Sequence, residues 1–417
     1  MPESYSTFQQ RYVTNSKYWD GANRSAPILA YVGPEAPLSE SIIMSSVGFL
    51  ADNAAEFKAL LVYLEHRYYG QSIPFGSRTE AFRNASTLRY FNSAQAIADY
   101  AEIIIYLKEQ LQAQYSPVIV VGGSYGGTPN NVAVGALASS APILYFDDIT
   151  PQDAYYSVEA SETCYQTIKD SCSAIDEVAS QPDGLLTLSD IFKTCHLLSS
   201  SSVLKKYLVS MYARVAQYNS PPKYPVTVVC GAIDGAPPEA DILDKEFAGV
   251  VSYFPNETCY VNAHRNLSET DVGWAWQRCS EMVIPIGITN NTMFQPSPFN
   301  LSHFTEECLS KYGVPPLPHW VTTYYGRHYF QEQYCYYYFF WLKIYNLSVA
   351  LLIVLEDISD SIVAVYTVNG SHCLDLRQAN QSDPEWLVTR RRVEVDFIRG
   401  WITEYYSSHD DLLTAII

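Results

Sequence analysis

The sequence predicts an α/β fold in which a mostly parallel sheet has helices on both faces. Three short apolar runs, Ile28–Val32, Leu60–Leu64 and Val118–Val121, have the length of buried strands, and the third is β-branched throughout. Between them, residues 41–57 and 97–111 carry apolar side chains at helical spacing. Strands that alternate with helices in this way are typical of a parallel sheet.

The composition is that of a globular protein with an acidic surface. Hydrophobic residues make up 48% of the 417 residues and charged residues 17%, with 26 Lys and Arg against 44 Asp and Glu and a net charge of −18. An acidic surface disfavours binding to nucleic acid and to anionic membranes, so we expect neither partner. The nine cysteines show no C-x-x-C spacing, so we expect no metal site and no cofactor.

Two features indicate the secretory pathway. Nine cysteines in one chain favour disulfides, and an odd number leaves at least one thiol unpaired in a monomer. Nine N-x-S/T sequons predict a glycoprotein, secreted or delivered to a vacuole or lysosome; they are Asn23, Asn84, Asn256, Asn266, Asn290, Asn300, Asn346, Asn369 and Asn380. Residues 1–5 are polar and carry no signal-peptide pattern, so we expect the chain to be truncated at its start.

The first predicted elements follow one another with clear end signals. The strand Ile28–Val32 stops at a loop that begins Gly33-Pro34-Glu35-Ala36. Ser93 is the predicted N-cap of the helix that carries the apolar positions 97, 100, 104, 107 and 111. The segment Glu65–Gly70 follows the second strand, and we expect its His66 to be structural.

A Gly-rich turn directly follows the third strand. Gly122 and Gly126 flank Ser124 in a G-x-S-x-G pattern, which in α/β-hydrolases forms a strained elbow that exposes the serine hydroxyl. The backbone N–H of the next residue, Tyr125, then supplies half of an oxyanion hole. The alternative is a Gly-rich turn without catalytic function. Residues 128–131 open the expected helix poorly, and residues 132–137 are predicted as the next strand.

The second half of the chain changes character. Residues 151–319 contain helical stretches and most cysteines, which predicts a cap inserted into a core formed by residues 1–150 and 320–417. Residues 336–355 are long and apolar enough to span a bilayer, but Lys343 and Asn346 at the centre disfavour a membrane span. Residues 362–368 are predicted as a strand that ends in a turn carrying His372.

Long segments of the chain resemble the prolyl carboxypeptidase/dipeptidyl peptidase II family of serine peptidases, of lysosomal Pro-X carboxypeptidase type and especially its plant members. The similarity extends over nearly the whole chain. The segments that carry it are Thr7–Tyr12, Glu65–Gly70, Tyr90–Ala96, Gly122–Gly127, Gly135–Pro142, Trp274–Glu281 and Gly370–Asp375.

The resemblance implies an α/β-hydrolase core with an inserted helical, disulfide-bearing cap. It also implies cleavage after proline near a peptide terminus, with Ser124 as nucleophile and His372 as general base. The Tyr125 N–H and one from the loop after Val32 would hold the oxyanion; Pro34 has no N–H, so Glu35 or Ala36 is the candidate, and we take Glu35. The residues expected at the substrate pocket are Trp274, Trp276 and Gln277.

The chain departs from this family in three places that concern activity, one of which is a shorter gap near residues 156–159. The family has a longer helix after the elbow, and its catalytic acid lies in an Asn-Gly-Leu-x-Asp-Pro segment that this chain lacks. The acid is therefore unknown, with Asp357 as a possible substitute. The expected function is a proline-specific serine exopeptidase of impaired activity. The alternatives are a catalytically dead, glycosylated hydrolase-like protein and, further from the motifs, another acyl hydrolase such as an esterase.

Overall fold

The sheet has five strands with the order expected of a crossover-connected α/β fold. The computed structural model describes residues 7–126, 133–139, 161–324 without 265, 286, 289 and 291, and 367–414 without 368. In it the sheet order is β1-β3-β2-β4-β5. β1 is antiparallel to β3 and the other neighbours are parallel. The strands are β1 Tyr12–Asn15, β2 Ile28–Val32, β3 Leu60–Leu64, β4 Val118–Gly123 and β5 Gly135–Ser139.

Thirteen helices are described, in the core and in a helical region after β5. They are α1 Gly48–Phe57, α2 Arg78–Ala81, α3 Ala85–Leu88, α4 Ser93–Gln110, α5 Glu162–Ala179, α6 Gly184–Ile191, α7 Ser201–Gln217, α8 Pro225–Asp234, α9 Ile242–Tyr253, α10 Glu269–Ser280, α11 Leu301–Tyr312, α12 Trp320–Tyr324 and α13 Glu385–Thr414.

Both faces of the sheet are buried, which explains why the strands are continuously apolar. Successive side chains point to opposite faces, so Ile28 and Ala30 pack on one side and Leu29 and Tyr31 on the other. The first face is covered by α4, and the second by α1 and α13. The predicted α/β-hydrolase fold class, with helices on both sides of a mostly parallel sheet, is confirmed.

The helices α5–α9 bury a separate apolar cluster of their own, in which Phe192, Leu204 and Ile233 are fully enclosed. Two disulfides tie this region, Cys164–Cys230 and Cys195–Cys259, and Cys279–Cys308 joins α10 to α11. The expectation of a helical, disulfide-bearing region is thus confirmed. Its limits at residues 151 and 319 stay predictions.

Helix α10 packs on the sheet rather than among α5–α9. Met282 and Trp274 belong to the apolar cluster that includes β2, β3 and β4, and Trp276 packs with Tyr68 and Phe91 beside it. Residues 274–282, although predicted as part of the cap, therefore pack against the sheet that carries the Ser124 turn.

Some sequence-based predictions shift in detail. The N-cap of α4 is Asn92, whose side chain accepts a hydrogen bond from Gln95 N, while Ser93 is the first helical residue. β5 begins at Gly135, a few residues later than predicted. The apolar stretch 336–355 and the strand expected at 362–366 lie outside the described residues. Within the described part of the chain, no helix is long and apolar enough to cross a membrane.

Candidate active site

The turn after β4 has the geometry of a nucleophile elbow. Ser124 adopts a φ of 53° and begins a 3₁₀ turn, Ser124–Gly126. A non-glycine residue in this region of φ is strained, and such strain is concentrated at functional sites. A Cβ at Gly122 would overlap the Gly126 carbonyl, and a Cβ at Gly126 would lie 2.7 Å from the Val32 carbonyl oxygen. Both glycines are therefore required by close backbone approach.

The loop after β2 lies beside this elbow, because β2 and β4 are parallel neighbours. Tyr100 on α4 donates a hydrogen bond to the Gly33 carbonyl at 3.1 Å and so fixes the start of the loop. Ala36 N donates to the Pro34 carbonyl at 2.8 Å. The backbone N–H of Glu35 is directed to its own carboxylate, which lowers the pKa of that carboxyl, but burial outweighs this and raises the pKa.

The loop that carries His372 docks on the same edge of the sheet. A Cβ built on Gly123, next to Ser124, would lie 2.9 Å from the Cys373 sulfur, next to His372. The Cys373 sulfur also faces the Ser139 carbonyl at the end of β5, at 3.6 Å. His372 N donates to the Gln217 carbonyl at 3.0 Å, and its ring meets that of Tyr218 edge-on at 6.0 Å. The contacts of Cys373 thus place the His372 loop and the Ser124 turn at the same edge of the sheet.

His372 is held in its neutral form. Burial lowers the pKa of His372 to about 4, and the nearby Arg377 lowers it further while Asp375 opposes the change. A neutral imidazole is the form that can accept a proton from a serine hydroxyl. The site therefore favours a general base at His372 from mildly acidic pH upward.

A charged cluster anchors the His372 loop from below. Ser139 Oγ on β5 donates to Asp375 Oδ1 at 2.6 Å. Arg391 donates from Nε to the Asp375 carbonyl at 3.1 Å and pairs through Nη1 with Asp383 at 2.5 Å. Arg390 pairs with Glu394 at 2.9 Å one turn further along α13. Burial, together with Asp375, keeps the pKa of Glu394 well above its ordinary value.

The three residues expected at the substrate pocket lie on α10 at different depths. Trp274 is half-buried, and its ring meets that of Tyr125 edge-on at 5.9 Å. Trp276 is buried and donates from Nε1 to the Phe91 carbonyl at 3.0 Å. Gln277 is fully buried and accepts from Tyr69 Oη at 2.6 Å. Trp274 thus lies next to the elbow, whereas Trp276 and Gln277 are enclosed by protein.

Two further residues of the site, Glu281 and Asp375, were not singled out from the sequence. Glu281 directly follows Ser280, the last residue of α10, and contacts the Tyr125 hydroxyl, which in turn contacts His66. Asp375 likewise lies three residues after His372 and fixes its loop. Both Glu281 and Asp375 fall inside segments that carry the family resemblance, but nothing in their spacing shows what they contact.

Asp357, the possible substitute acid, lies outside the described residues, as do residues 127–132 after the elbow. Among the residues that the structure describes, no group of three or more His, Cys, Asp or Glu is arranged to hold a metal ion.

Comparison with known proteins identifies the family. A family model described as Serine carboxypeptidase S28 matches residues 2–324. Lysosomal Pro-X carboxypeptidase from Homo sapiens is 33% identical, with 96% of this chain and 86% of that protein covered. Prolyl carboxy peptidase like protein 5 from Caenorhabditis elegans is 27% identical, covering 95% and 86%.

Among solved structures, an epoxide hydrolase from Vigna radiata is similar with a TM-score of 0.33 and 11% identity, over 95% of this chain and 99% of that one. Nothing of its activity is transferred to this chain. The match over residues 2–324 and the 33% identity over nearly the full chain are decisive for the assignment. The chain belongs to the serine carboxypeptidase S28 family and is by that membership a serine-type peptidase.

Proposed function

We propose that this chain is a proline-specific serine exopeptidase that cleaves after proline near the end of a peptide through an acyl-enzyme. The observation that carries the proposal is the strained Ser124 elbow, whose preceding residue Gly123 packs against Cys373, the neighbour of the half-buried, neutral His372. Relatives named Lysosomal Pro-X carboxypeptidase, matched over 96% of the chain, favour the carboxyl-terminal end of the substrate.

The chemistry assigns one step to each group. His372 accepts the proton of Ser124 Oγ as that oxygen attacks the prolyl carbonyl, and the protonated imidazole then gives the proton to the leaving amine. The Tyr125 N–H stabilises the oxyanion together with an N–H from the loop after β2, for which we propose Glu35, whose N–H would turn from its own carboxylate to the substrate oxygen. Water then attacks the acyl-enzyme and releases the prolyl product.

The pocket residues support this assignment in different ways. Trp274, half-buried against the Tyr125 ring, offers an apolar surface next to the nucleophile. Trp276 and Gln277 would hold α10 in place behind it through their bonds to Phe91 and Tyr69. Asp357 is kept as the proposed acid that orients His372.

The cysteine pairs and the sequons support passage through the secretory pathway, to the cell exterior or to a vacuole or lysosome. The relatives named lysosomal agree with the second destination.

The proposal is tested by the intact mass of the protein after exposure to a fluorophosphonate, which phosphonylates an activated serine. We expect one adduct per chain, none in Ser124→Ala, and an undiminished adduct in Ser180→Ala, a matched change at an exposed serine after α5. Peptides with a penultimate proline and a free carboxylate should be cleaved, and the same peptides with alanine should not. Equal labelling of Ser124→Ala would contradict the proposal. An absence of labelling in the wild type would indicate a catalytically dead hydrolase-like protein.

A further inference from the structure

A buried polar cluster lies under the elbow and connects three separate parts of the chain. Glu281 is 2% exposed and accepts hydrogen bonds from Ser93 N at 2.9 Å, Ser93 Oγ at 2.7 Å and, at Oε1, the Tyr125 hydroxyl at 3.0 Å. The Tyr125 hydroxyl also lies 3.1 Å from His66 Nε2. The side chain next to the nucleophile is therefore fixed between a carboxyl group and an imidazole.

The contact of His66 Nδ1 with the backbone shows which ring nitrogen carries the hydrogen. His66 Nδ1 lies 2.6 Å from the Arg67 carbonyl oxygen, which can only accept a hydrogen bond. Nδ1 must then carry the hydrogen. Burial lowers the pKa of His66 to about 3, so the ring is neutral at physiological pH and its Nε2 is an acceptor.

The Tyr125 hydroxyl has one proton and faces two acceptors when Glu281 is ionised. If it donates to the carboxylate, His66 Nε2 loses its donor in a fully buried place, which is unfavourable because a buried acceptor is then left without a hydrogen bond. If Glu281 is protonated instead, its carboxyl O–H donates to the Tyr125 oxygen and the Tyr125 hydroxyl donates to His66 Nε2. Only the protonated form satisfies every group in the chain from Glu281 to the Arg67 carbonyl.

We propose that Glu281 is a positioning residue whose protonated form completes this chain of hydrogen bonds and thereby holds the Tyr125 backbone N–H in place to bind the oxyanion. The inference rests on the proposed function, since it concerns the same oxyanion hole. It adds that the hole is assembled in the acidic form of the enzyme and loosens as Glu281 ionises.

The surroundings of Glu281 agree with a protonated carboxyl. Burial raises the pKa of Glu281 to about 7, against the opposing hydrogen bonds from Ser93 and Tyr125. From the loop after β3 it is faced by Tyr69, whose hydroxyl already donates to Gln277, and through Tyr125 by His66. Arg67, next to His66 in the chain, is engaged by Asp99 at 2.5 Å. Other titratable or charged groups around these residues are Tyr100 on α4, Glu35 in the loop after β2 and Arg78 on α2.

Two limbs of pH dependence follow. Activity should rise as His372 loses its proton, near pH 4, and fall as Glu281 ionises, near pH 7. The folded pKa of Glu281 lies above the ordinary 4.5, so its contribution to stability is complete below the ordinary value and is lost as pH rises toward about 7.

The activity arm measures the fluorophosphonate labelling rate against pH. With a pKa of about 7, the wild-type rate should fall about tenfold between pH ~6 and pH ~8 if only the protonated form is competent. Glu281→Gln, whose amide N–H₂ donates permanently to Tyr125, should lose this alkaline limb. Glu246→Gln is the matched control, because Glu246 is also buried with a raised pKa of about 8 but lies on α9, away from the elbow. It should keep the limb.

The second arm does not depend on catalysis. In protein labelled with ¹⁵N-histidine, the His66 Nε2 signal should move as pH rises through about 7 in the wild type and in Glu246→Gln, and should stay fixed in Glu281→Gln. Glu281→Leu removes the competing acceptor, so the Tyr125 hydroxyl keeps His66 Nε2 as its partner and the bonded signal should appear at every pH. A pH-independent His66 signal in the wild type would overturn the inference, whether or not the protein labels. If the wild-type His66 Nε2 signal moves with pH as expected but the labelling rate does not fall at alkaline pH, the link to the oxyanion hole is overturned.

Discussion

The two sides of the candidate active site are held by different physical means. Under the nucleophile, Tyr125 is fixed by a chain of uncharged hydrogen bonds that ends on a buried carboxyl group, Glu281. Under the base, the His372 loop is fixed by ion pairs and charge-assisted bonds around Arg391 and Asp375. One side can change with the position of a single proton, whereas the other is held by the charged partners of Arg391.

This difference indicates where the site tolerates adjustment. A chain of hydrogen bonds that ends on a titratable carboxyl changes its proton arrangement when that carboxyl ionises, so its geometry responds to pH near the pKa of that group. Removal of one partner of a buried ion pair leaves an uncompensated charge, at a cost of about 3–5 kcal/mol. The base side is therefore expected to behave as a rigid support and the nucleophile side as an adjustable one.

The largest effect is expected from a single methyl group at the elbow. In Gly122→Ala the new Cβ overlaps the Gly126 carbonyl oxygen, so the turn cannot close and fluorophosphonate labelling should be lost. The control is Gly231→Ala on α8, where nothing lies within 4 Å of the added carbon. Because alanine is the better helix former, that variant should be more stable by about 0.5–1 kcal/mol. Normal labelling of Gly122→Ala would show that the turn accommodates a Cβ at this position, contrary to the close approach of the Gly126 carbonyl in the structure.

The next effect tests the rigidity of the base side. Arg391→Met removes the cation that pairs with Asp383 and the side-chain donor to the Leu374 and Asp375 carbonyls, and should lower the free energy of unfolding by about 3–5 kcal/mol in a urea titration. Arg392→Met, one residue along the same helix, breaks only an exposed 3.9 Å pair with Glu385 and should change it by less than about 1 kcal/mol. Similar losses of unfolding free energy in both variants would contradict the proposal that the base side is a rigid support.

The smallest effect leaves the fold intact and concerns the acid limb. Because the pKa of His372 is lowered to about 4, labelling should rise as pH increases through that value. A histidine at the ordinary pKa, 6.5, would give the rise near neutrality. The limb is measured from labelling rates between pH ~3 and pH ~6, with circular dichroism at each pH to show that the protein stays folded. A rise near pH 6.5 would mean that His372 is solvated, contrary to its burial here.

Much of the sheet was predictable because the signals are local. Continuous apolar runs at Ile28–Val32 and Leu60–Leu64 match β2 and β3 residue for residue, since strands buried on both faces have no polar positions. The glycines at 122 and 126 predicted the turn for the reason the structure gives, that no Cβ fits there. The N-cap of α4 was misplaced by one residue, because Asn92 and Ser93 are both good capping residues.

The sequence by itself determined the family, the alternation of strands and helices, and the position of the strained serine, all of which depend on neighbouring residues. Only the tertiary structure decided which buried groups meet. Glu281 binds Ser93 across 188 residues and Tyr125 across 156, and Asp375 binds Ser139 across 236. Such contacts are specified by the packing of α10 and α13 on the sheet. No periodicity or motif reports them, because the hydrogen bonds of a buried carboxyl depend on distances in space and not on spacing along the chain.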